Sequence, residues 1–295
     1  MLSDNQQPTP LTIADYANTM FPTWCPGCGN HGLLVAMKQA LAELQLQPHK
    51  LFFVWGIGCS SNTSNWVNVY GAHSLHGRAL PVAVAIKLVN PALTVIAEGG
   101  DGDGYGIGVG HFIHSMRRNL DITYIVHNNQ IYGLTTGQAS PTSDKGMKSK
   151  STPCGVIERP INPLALAISS NATYIARGFS GDVAHLKQLI MGGIKHRGFA
   201  LIDVLQPCVT FNNQNTYPWV QERVYKLEGT GHDPKDKAQA WQRAQEWGDK
   251  IPIGLFFQED RLTYRDEIDQ FAKDESLLDH DISNIDISKT LEEFK

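Results

Sequence analysis

Short apolar runs alternate along the chain with segments in which apolar residues recur every three or four positions. The apolar runs are rich in β-branched and aromatic residues and predict buried strands. They occupy residues 51–55 (LFFVW), 93–97 (LTVIA), 122–126 (ITYIV) and 199–205 (FALIDVL). Helical spacing appears over 105–118, 163–169 and 182–196. This alternation predicts an α/β fold in which a parallel sheet is flanked by helices.

Polar residues and cysteines follow these predicted strands. Parallel sheets bind ligands at the carboxyl ends of their strands. Four such positions, each just after a strand, are Cys59, Asp101, Asn129 and Cys208. We therefore expect a functional site at that edge of the sheet.

The composition changes near residue 229, where Asp, Glu, Lys and Gln become frequent and β-branched runs become rare. We predict a domain over 1–228 and a C-terminal extension over 229–295, helical and partly extended. The extension either wraps a partner or covers a site, or it is a loosely ordered tail.

Charge and composition exclude several classes of protein. Charged residues make up 18% of the 295 residues and the net charge is −4, which predicts no binding to nucleic acid or to an anionic membrane. So little charge also suggests that a partner covers part of the surface. No apolar run is long enough to span a membrane, and the first residues do not resemble a signal peptide. We expect a cytoplasmic protein without a disulfide framework, since it has five cysteines.

A glycine- and aspartate-rich turn over 99–104 (GGDGDG) precedes a second polar cluster over 128–132 (NNQIY). Asn129 lies 28 positions after Asp101, a gap that fits one helix and one return strand. Glycines let backbone N–H groups approach phosphate, and carboxylate and amide oxygens suit Mg²⁺. A dinucleotide-binding loop is the nearest competitor, but its pyrophosphate would be repelled by acidic residues that no metal neutralises. The spacing predicts a site for Mg²⁺ and a diphosphate.

The cysteines indicate a second site. Cys25 and Cys28 form a C-x-x-C turn, and Cys59 and Cys208 follow strands. Four thiolates suit zinc or an iron–sulfur cluster, and a redox-active dithiol is a third possibility. Spacing alone does not choose among them. Cys154 has no such context and is interpreted as a loop thiol.

The combined motifs resemble one family over residues 21 to 227, in the family's order. The motifs are 24–32 (WCPGCGNHG), 56–61 (GIGCSS), 75–79 (LHGRA), 99–104, 128–132, 133–140 (GLTTGQAS) and 203–208 (DVLQPC). Together they are similar to the beta subunits of the 2-oxoacid:ferredoxin oxidoreductases, which have a thiamine-diphosphate-binding fold. The resemblance implies that residues 1–228 bind thiamine diphosphate with Mg²⁺ and one [4Fe–4S] cluster.

Specific roles follow from this resemblance. Cys25, Cys28, Cys59 and Cys208 would hold the cluster, and Asp101, Asn129 and the Ile131 carbonyl would hold Mg²⁺. His76 would face the reacting carbonyl as a catalytic residue. The cofactor-binding residues would be Ile57, Gly58, Cys59, Ser60, His76, Gly100, Asp101, Gly102, Asp103, Asn129, Ile131, Gly133, Leu134 and Thr135.

The implied reaction is the coenzyme A-dependent oxidative decarboxylation of a 2-oxoacid, reversible in principle, with electrons passed to ferredoxin. We favour 2-oxoglutarate and then pyruvate, although the neutral Asn62 stands where some members carry a basic residue. An alpha subunit, in an (αβ)₂ heterotetramer, would supply the glutamate that activates thiamine, because Glu98 is better explained as a strand-end carboxylate. The alternatives are a non-redox thiamine-dependent decarboxylase or carboligase and a zinc-stabilised structural subunit.

Overall fold

The structure is a computed structural model that describes residues 9–269, 276–279, 283 and 285–294. Its centre is a twisted sheet of eight strands, and two further strands, β5 and β6, form a separate ribbon. The strands are β1 (Leu51–Trp55), β2 (Tyr70–His73), β3 (Thr94–Gly100), β4 (Ile122–Asn128), β5 (Ile131–Tyr132), β6 (Gln138–Ala139), β7 (Tyr174–Phe179), β8 (Phe199–Leu205), β9 (Val224–Lys226) and β10 (Ile251–Gln258).

The order across the main sheet is β2-β1-β3-β4-β8-β7-β10-β9. Every pair from β2 to β7 is parallel. β10 runs antiparallel to β7, and β9 runs parallel to β10. The carboxyl ends of β1, β3, β4 and β8 therefore meet at one edge, as the sequence predicts.

Helices cover both faces of this sheet. Their bounds are α1 (Asn30–Glu43), α2 (Ala79–Val89), α3 (Val109–Arg118), α4 (Pro163–Ser169), α5 (Val183–Lys195), α6 (Tyr217–Arg223), α7 (Lys237–Ala244) and α8 (Ser288–Glu292). α1 and α5 pack on one face, and α2, α3, α4 and α7 pack on the other. Side chains alternate along β4, so that Ile125 joins the first core while Tyr124 and Val126 join the second. A central parallel strand buried on both faces explains the continuous apolar run over 122–126.

The predicted fold class is confirmed, with differences in detail. The sequence predicts one helix over 105–118, but a π-helical turn over Gly102–Ile107 precedes α3. Gly106 breaks the helical path there, with ψ at −105°. The glycine-rich segment after β3 is therefore helical, but it forms a separate turn that ends before α3 begins at Val109.

The C-terminal region contributes to the sheet. Residues 229–295 contain α7, and they also contain the buried eight-residue strand β10. A boundary at 228 therefore separates β10 from the sheet in which it lies. In the described part of the chain, no helix is both long and apolar enough to cross a bilayer.

Candidate functional site

The strand ends enclose a cavity of about 310 Å³. All fourteen residues predicted to bind the cofactor lie in its wall. They are Ile57, Gly58, Cys59, Ser60, His76, Gly100, Asp101, Gly102, Asp103, Asn129, Ile131, Gly133, Leu134 and Thr135. The structure thus brings the predicted residues together from four separate loops.

Asp101 is a buried acidic group in the wall of this cavity and follows β3 directly. It is 2% exposed, and its Oδ2 accepts hydrogen bonds from the hydroxyls of Ser140 and Thr142, each 2.5 Å away. Burial raises the pKa of Asp101 to about 6, since a carboxylate loses hydration there. Among the described residues, no lysine, arginine or histidine forms an ion pair with it. A buried carboxylate without a counter-ion is suited to bind a cation.

Asn129 and Ile131 lie across the cavity at the end of β4 and the start of β5. Asn129 Oδ1 accepts the N–H of Ile131 at 3.1 Å, and its Nδ2 donates to Gln206 Oε1 at 3.2 Å. The amide is therefore held in place by its own turn and by the segment that precedes Cys208. An amide oxygen, a peptide carbonyl and the carboxylate of Asp101 are the oxygen ligands that Mg²⁺ uses.

Asp103 braces the loops around the cavity. Its Oδ1 accepts from the N–H of Ile57 at 3.0 Å, the N–H of Gly77 at 2.8 Å and His76 Nδ1 at 2.8 Å. Burial raises the pKa of Asp103, and these three donors oppose that rise. Because Nδ1 of His76 carries the donated hydrogen, its Nε2 is the ring nitrogen left to act at the cavity.

This close packing predicts a cost for a small substitution. A Cβ on Gly56 would lie 2.0 Å from Asp103 Oδ2, so Gly56→Ala must displace the carboxylate and its three donors. We expect a loss of about 1–3 kcal/mol in the free energy of unfolding, measured by urea denaturation. Gly110→Ala is the matched control, since no atom lies within 4 Å of a Cβ at this exposed helical position, and it should be neutral or stabilise the protein by up to about 1 kcal/mol. Equal effects of the two substitutions would contradict this account.

The four cysteines predicted to bind a cluster converge beside this cavity. Burial raises the pKa of Cys28 to about 11, and the thiols of Cys208, Cys59 and Cys25 raise it further. Burial also raises the pKa of Cys59 to about 11, again with contributions from Cys208 and Cys25. Gly133 lies between two of the sulfurs, since its Cβ would be 3.5 Å from Cys59 Sγ and 3.8 Å from Cys208 Sγ. Cys154 is exposed and takes no part in these interactions.

Across the described ranges, no three His, Cys, Asp or Glu side chains are arranged to hold one metal ion.

Two residues of the cavity wall, His127 and Tyr132, are missing from the sequence-based predictions. Tyr132 donates its hydroxyl to the carbonyl of Gly102 at 3.1 Å and so fixes the glycine-rich turn. His127 is buried, and its Nε2 lies 2.9 Å from Glu98 Oε1. A polar residue inside an otherwise apolar central strand was the available signal.

Glu98 itself is fully buried on β3. Its Oε2 accepts from Trp55 Nε1 at 2.8 Å and from the Thr63 hydroxyl at 2.6 Å. His127 Nδ1 also contacts Asn30 Oδ1 at 2.7 Å. Both carboxylate oxygens of Glu98 are occupied within the protein, in agreement with its interpretation as a strand-end carboxylate.

Comparisons with known proteins agree with this geometry. The family described as thiamine pyrophosphate enzyme, C-terminal TPP binding domain, matches residues 56–204. The family that describes the C-terminal part of the pyruvate ferredoxin oxidoreductase beta chain matches residues 208–273. The two matches cover the cavity loops, Cys208 and β10.

Two curated relatives are beta subunits of 2-oxoacid:ferredoxin oxidoreductases. The protein from Saccharolobus solfataricus is 52% identical over 258 residues, which cover 83% of this chain and 85% of that protein. The beta subunit of enzyme 1 from Aeropyrum pernix is 49% identical over 255 residues, covering 83% and 80%.

A solved structure extends the similarity to the whole fold. The 2-oxoglutarate:ferredoxin oxidoreductase from Magnetococcus marinus, with 2-oxoglutarate, coenzyme A and succinyl-CoA bound, superimposes with a TM-score of 0.88. It is 38% identical, and the match covers 97% of this chain and 96% of that one. From these matches and the arrangement of its cavity, the chain belongs to the beta subunits of the 2-oxoacid:ferredoxin oxidoreductases.

Proposed function

We propose that this chain binds thiamine diphosphate, Mg²⁺ and one [4Fe–4S] cluster. Together with an alpha subunit, it would convert a 2-oxoacid and coenzyme A to the acyl-CoA and CO₂ and pass the two electrons to ferredoxin. The observation that carries the proposal is the position of Cys59. It lies in the wall of the cofactor cavity and also belongs to the group of four interacting cysteines. A cluster held there would adjoin the cofactor, and electrons could pass from the cavity towards ferredoxin.

The chain's own residues fit the cofactor in specific ways. Asp101, Asn129 and the Ile131 carbonyl would offer oxygen ligands for Mg²⁺ in the cavity wall. Gly100 leaves the backbone accessible to a diphosphate, since the nearest atom to a Cβ there would be Ser60 Oγ at 3.8 Å, whereas Gly102 makes room for the ring of Tyr132. When bound, thiamine diphosphate supplies the nucleophilic carbon and the iron–sulfur cluster accepts electrons. His76, oriented by Asp103, can hold or move a proton at Nε2 near the substrate carbonyl.

We assign the four cysteines to a cluster because Cys59 belongs both to this group and to the wall of the cofactor cavity. A redox cluster at that position would adjoin the cofactor, whereas a structural zinc ion could not accept electrons. Bound iron would also lower the pKa of the Cys28 and Cys59 thiols, which burial raises, and would keep them ionised.

The iron content of the protein tests this assignment. Anaerobically purified protein should contain iron and acid-labile sulfide in equal amounts, and Cys208→Ser should lose most of both. Cys154→Ser is the matched control and should retain them, because Cys154 is exposed and apart from the group. Stoichiometric zinc, or unchanged iron in Cys208→Ser, would contradict the proposal. Protein that contains thiamine diphosphate but no iron would favour a non-redox decarboxylase or carboligase.

We propose 2-oxoglutarate as the preferred substrate, with pyruvate next. The Magnetococcus marinus enzyme, similar over 97% of this chain, has 2-oxoglutarate and succinyl-CoA bound. Asn62, partly buried in the turn Ser60–Asn65, offers no charge to a distal carboxylate, so a cation would have to come from the partner. The ratio of kcat/KM for the two acids, measured on the complete enzyme, tests the preference.

We further propose that the enzyme is completed by an alpha subunit, as an (αβ)₂ heterotetramer in the cytoplasm. Both oxygens of Glu98 are occupied by Trp55, Thr63 and His127, which supports the proposal that the alpha subunit supplies the glutamate that activates thiamine. The five free cysteines suit a reducing compartment. The isolated chain should therefore reduce viologen with a 2-oxoacid at less than about one hundredth of the rate of the reconstituted complex. Comparable turnover by the chain alone would contradict this division of labour.

A further inference from the structure

A second cavity, of about 280 Å³, lies behind the segment that carries Asn129. It shares no lining residue with the cofactor cavity. Its walls come from β7, the start of α4, the end of α7 and the segment after β6. The residues that matter for its chemistry are Asp144, Arg159, Arg177, Ala244 and Trp247.

Arg177 on β7 provides a buried positive charge in this cavity, with a side chain that is only 3% exposed. Its Nε donates to Asp203 Oδ2 at 3.1 Å. Among the residues that the structure describes, none accepts a hydrogen bond from its other N–H groups, and Nη1 is buried without an acceptor. Most guanidinium groups at such depth use several donors, so this one has capacity for an anionic oxygen.

Asp203 accepts a hydrogen bond from only one nitrogen of Arg177, Nε. Its Oδ1 accepts from the Tyr105 hydroxyl and from Asn128 Nδ2, both at 3.0 Å. The carboxylate charge is therefore shared among three donors, of which Arg177 is one. The guanidinium lies 5.5 Å from the ring centroid of Trp247, in the cavity wall, which keeps its planar face apolar and leaves its edge for a ligand.

The rest of the wall sets the kind of anion. Proline, isoleucine and alanine side chains accompany Trp247, so part of a ligand would have to be apolar. Asp144 also lies in the wall, where Oδ1 accepts from Trp247 Nε1 at 3.0 Å and Oδ2 accepts from Asn215 Nδ2 at 3.1 Å. Its negative charge disfavours a dianion such as phosphate. Arg159 is exposed and marks the end that opens to solvent.

We propose that this cavity binds a small monocarboxylate with a short aliphatic tail. The carboxylate pairs with the guanidinium of Arg177, and the tail packs against Trp247 and Ala244. The site goes beyond the proposed reaction, because it needs neither thiamine diphosphate nor the cluster.

Butyrate is the probe, titrated into the full chain as purified with its partner subunit, with binding followed by isothermal titration calorimetry. We expect saturable binding, weakened at least tenfold in Arg177→Lys, which keeps the charge opposite Asp203 but lacks the planar fork. Ala244→Leu should block the cavity and abolish binding. Ala238→Leu, at an exposed position of the same helix, should bind butyrate like the wild type.

If Arg177→Lys does not fold, Ala244→Leu still tests the proposal, because this variant keeps the ion pair between Arg177 and Asp203. Butylamine, with the same tail and the opposite charge, should not bind. The proposal is overturned if the wild type shows no saturable butyrate binding, if the blocking variant binds as tightly as the wild type, or if inorganic phosphate binds more tightly than butyrate.

Discussion

Asp101→Asn is expected to stabilise the metal-free protein at pH 7 by about 3 kcal/mol while abolishing its response to Mg²⁺ and thiamine diphosphate. Burial raises the pKa of Asp101 from 3.8 to about 6, so above pH 6 the folded chain holds an ionised carboxylate that the unfolded chain solvates better. A difference of about two pKa units corresponds to about 3 kcal/mol. An asparagine can still accept the hydroxyls of Ser140 and Thr142 without carrying the charge.

The sign of this effect can be checked against pH. Between pH 4 and 6 the folded metal-free protein binds more protons at Asp101 than the unfolded chain does, so its stability falls as the pH rises through this window. The variant lacks this contribution, so the difference in stability between the two proteins should be constant below about pH 3.8 and should grow in favour of the variant up to about pH 6.

Urea unfolding of chelator-treated protein, with and without added Mg²⁺ and thiamine diphosphate, measures both parts of the prediction. Ligands should raise the stability of the wild type and leave Asp101→Asn unchanged. Asp249→Asn is the control, because Asp249 is exposed and should affect neither quantity. A destabilised metal-free variant, or one that still gains stability from the cofactor, would contradict a cation site at Asp101.

The sequence could locate this site because its residues follow strands. Asp101 and Asn129 end neighbouring parallel strands, and the register that pairs Gly100 with His127 brings the two loops together. Cys59 and Cys208 also follow strands of the same sheet, β1 and β8. Residue type and spacing carry enough information here, since parallel strands align their carboxyl ends.

Contacts that depend on register across the sheet could not be predicted. Glu98 pairs with Trp55 on one side and Ile125 on the other, and the sequence does not specify that alignment. The sequence did not predict strand β10 (IPIGLFFQ) for a different reason. Pro252 and Gly254, which are rare inside strands, interrupt its apolar run. Tyr70–His73 is an exposed edge strand without apolar alternation, so periodicity could not reveal it.

The second large effect is expected at Glu98. Glu98→Ala should cost about 3–5 kcal/mol in the free energy of unfolding, because removing one partner of a buried pair leaves the other uncompensated. His127 would lose its partner at 2.9 Å, and Trp55 Nε1 would lose its acceptor at 2.8 Å. The Thr63 hydroxyl would lose less, since it can donate to the Ser60 carbonyl at 2.9 Å.

A double substitution distinguishes the destabilisation caused by removing one partner from the net contribution of the Glu98–His127 pair to the free energy of unfolding. Glu98→Met with His127→Leu replaces both polar partners by apolar side chains of similar volume, an exchange that is often neutral in buried sites. We therefore expect the double variant to be more stable than Glu98→Met alone and than His127→Leu alone, with a coupling free energy of about 1–3 kcal/mol in urea unfolding. Additive losses would show that the two side chains contribute independently. If the double variant folds yet binds thiamine diphosphate more weakly than the wild type, the pair is retained for the shape and polarity of the cofactor cavity, whose wall His127 forms.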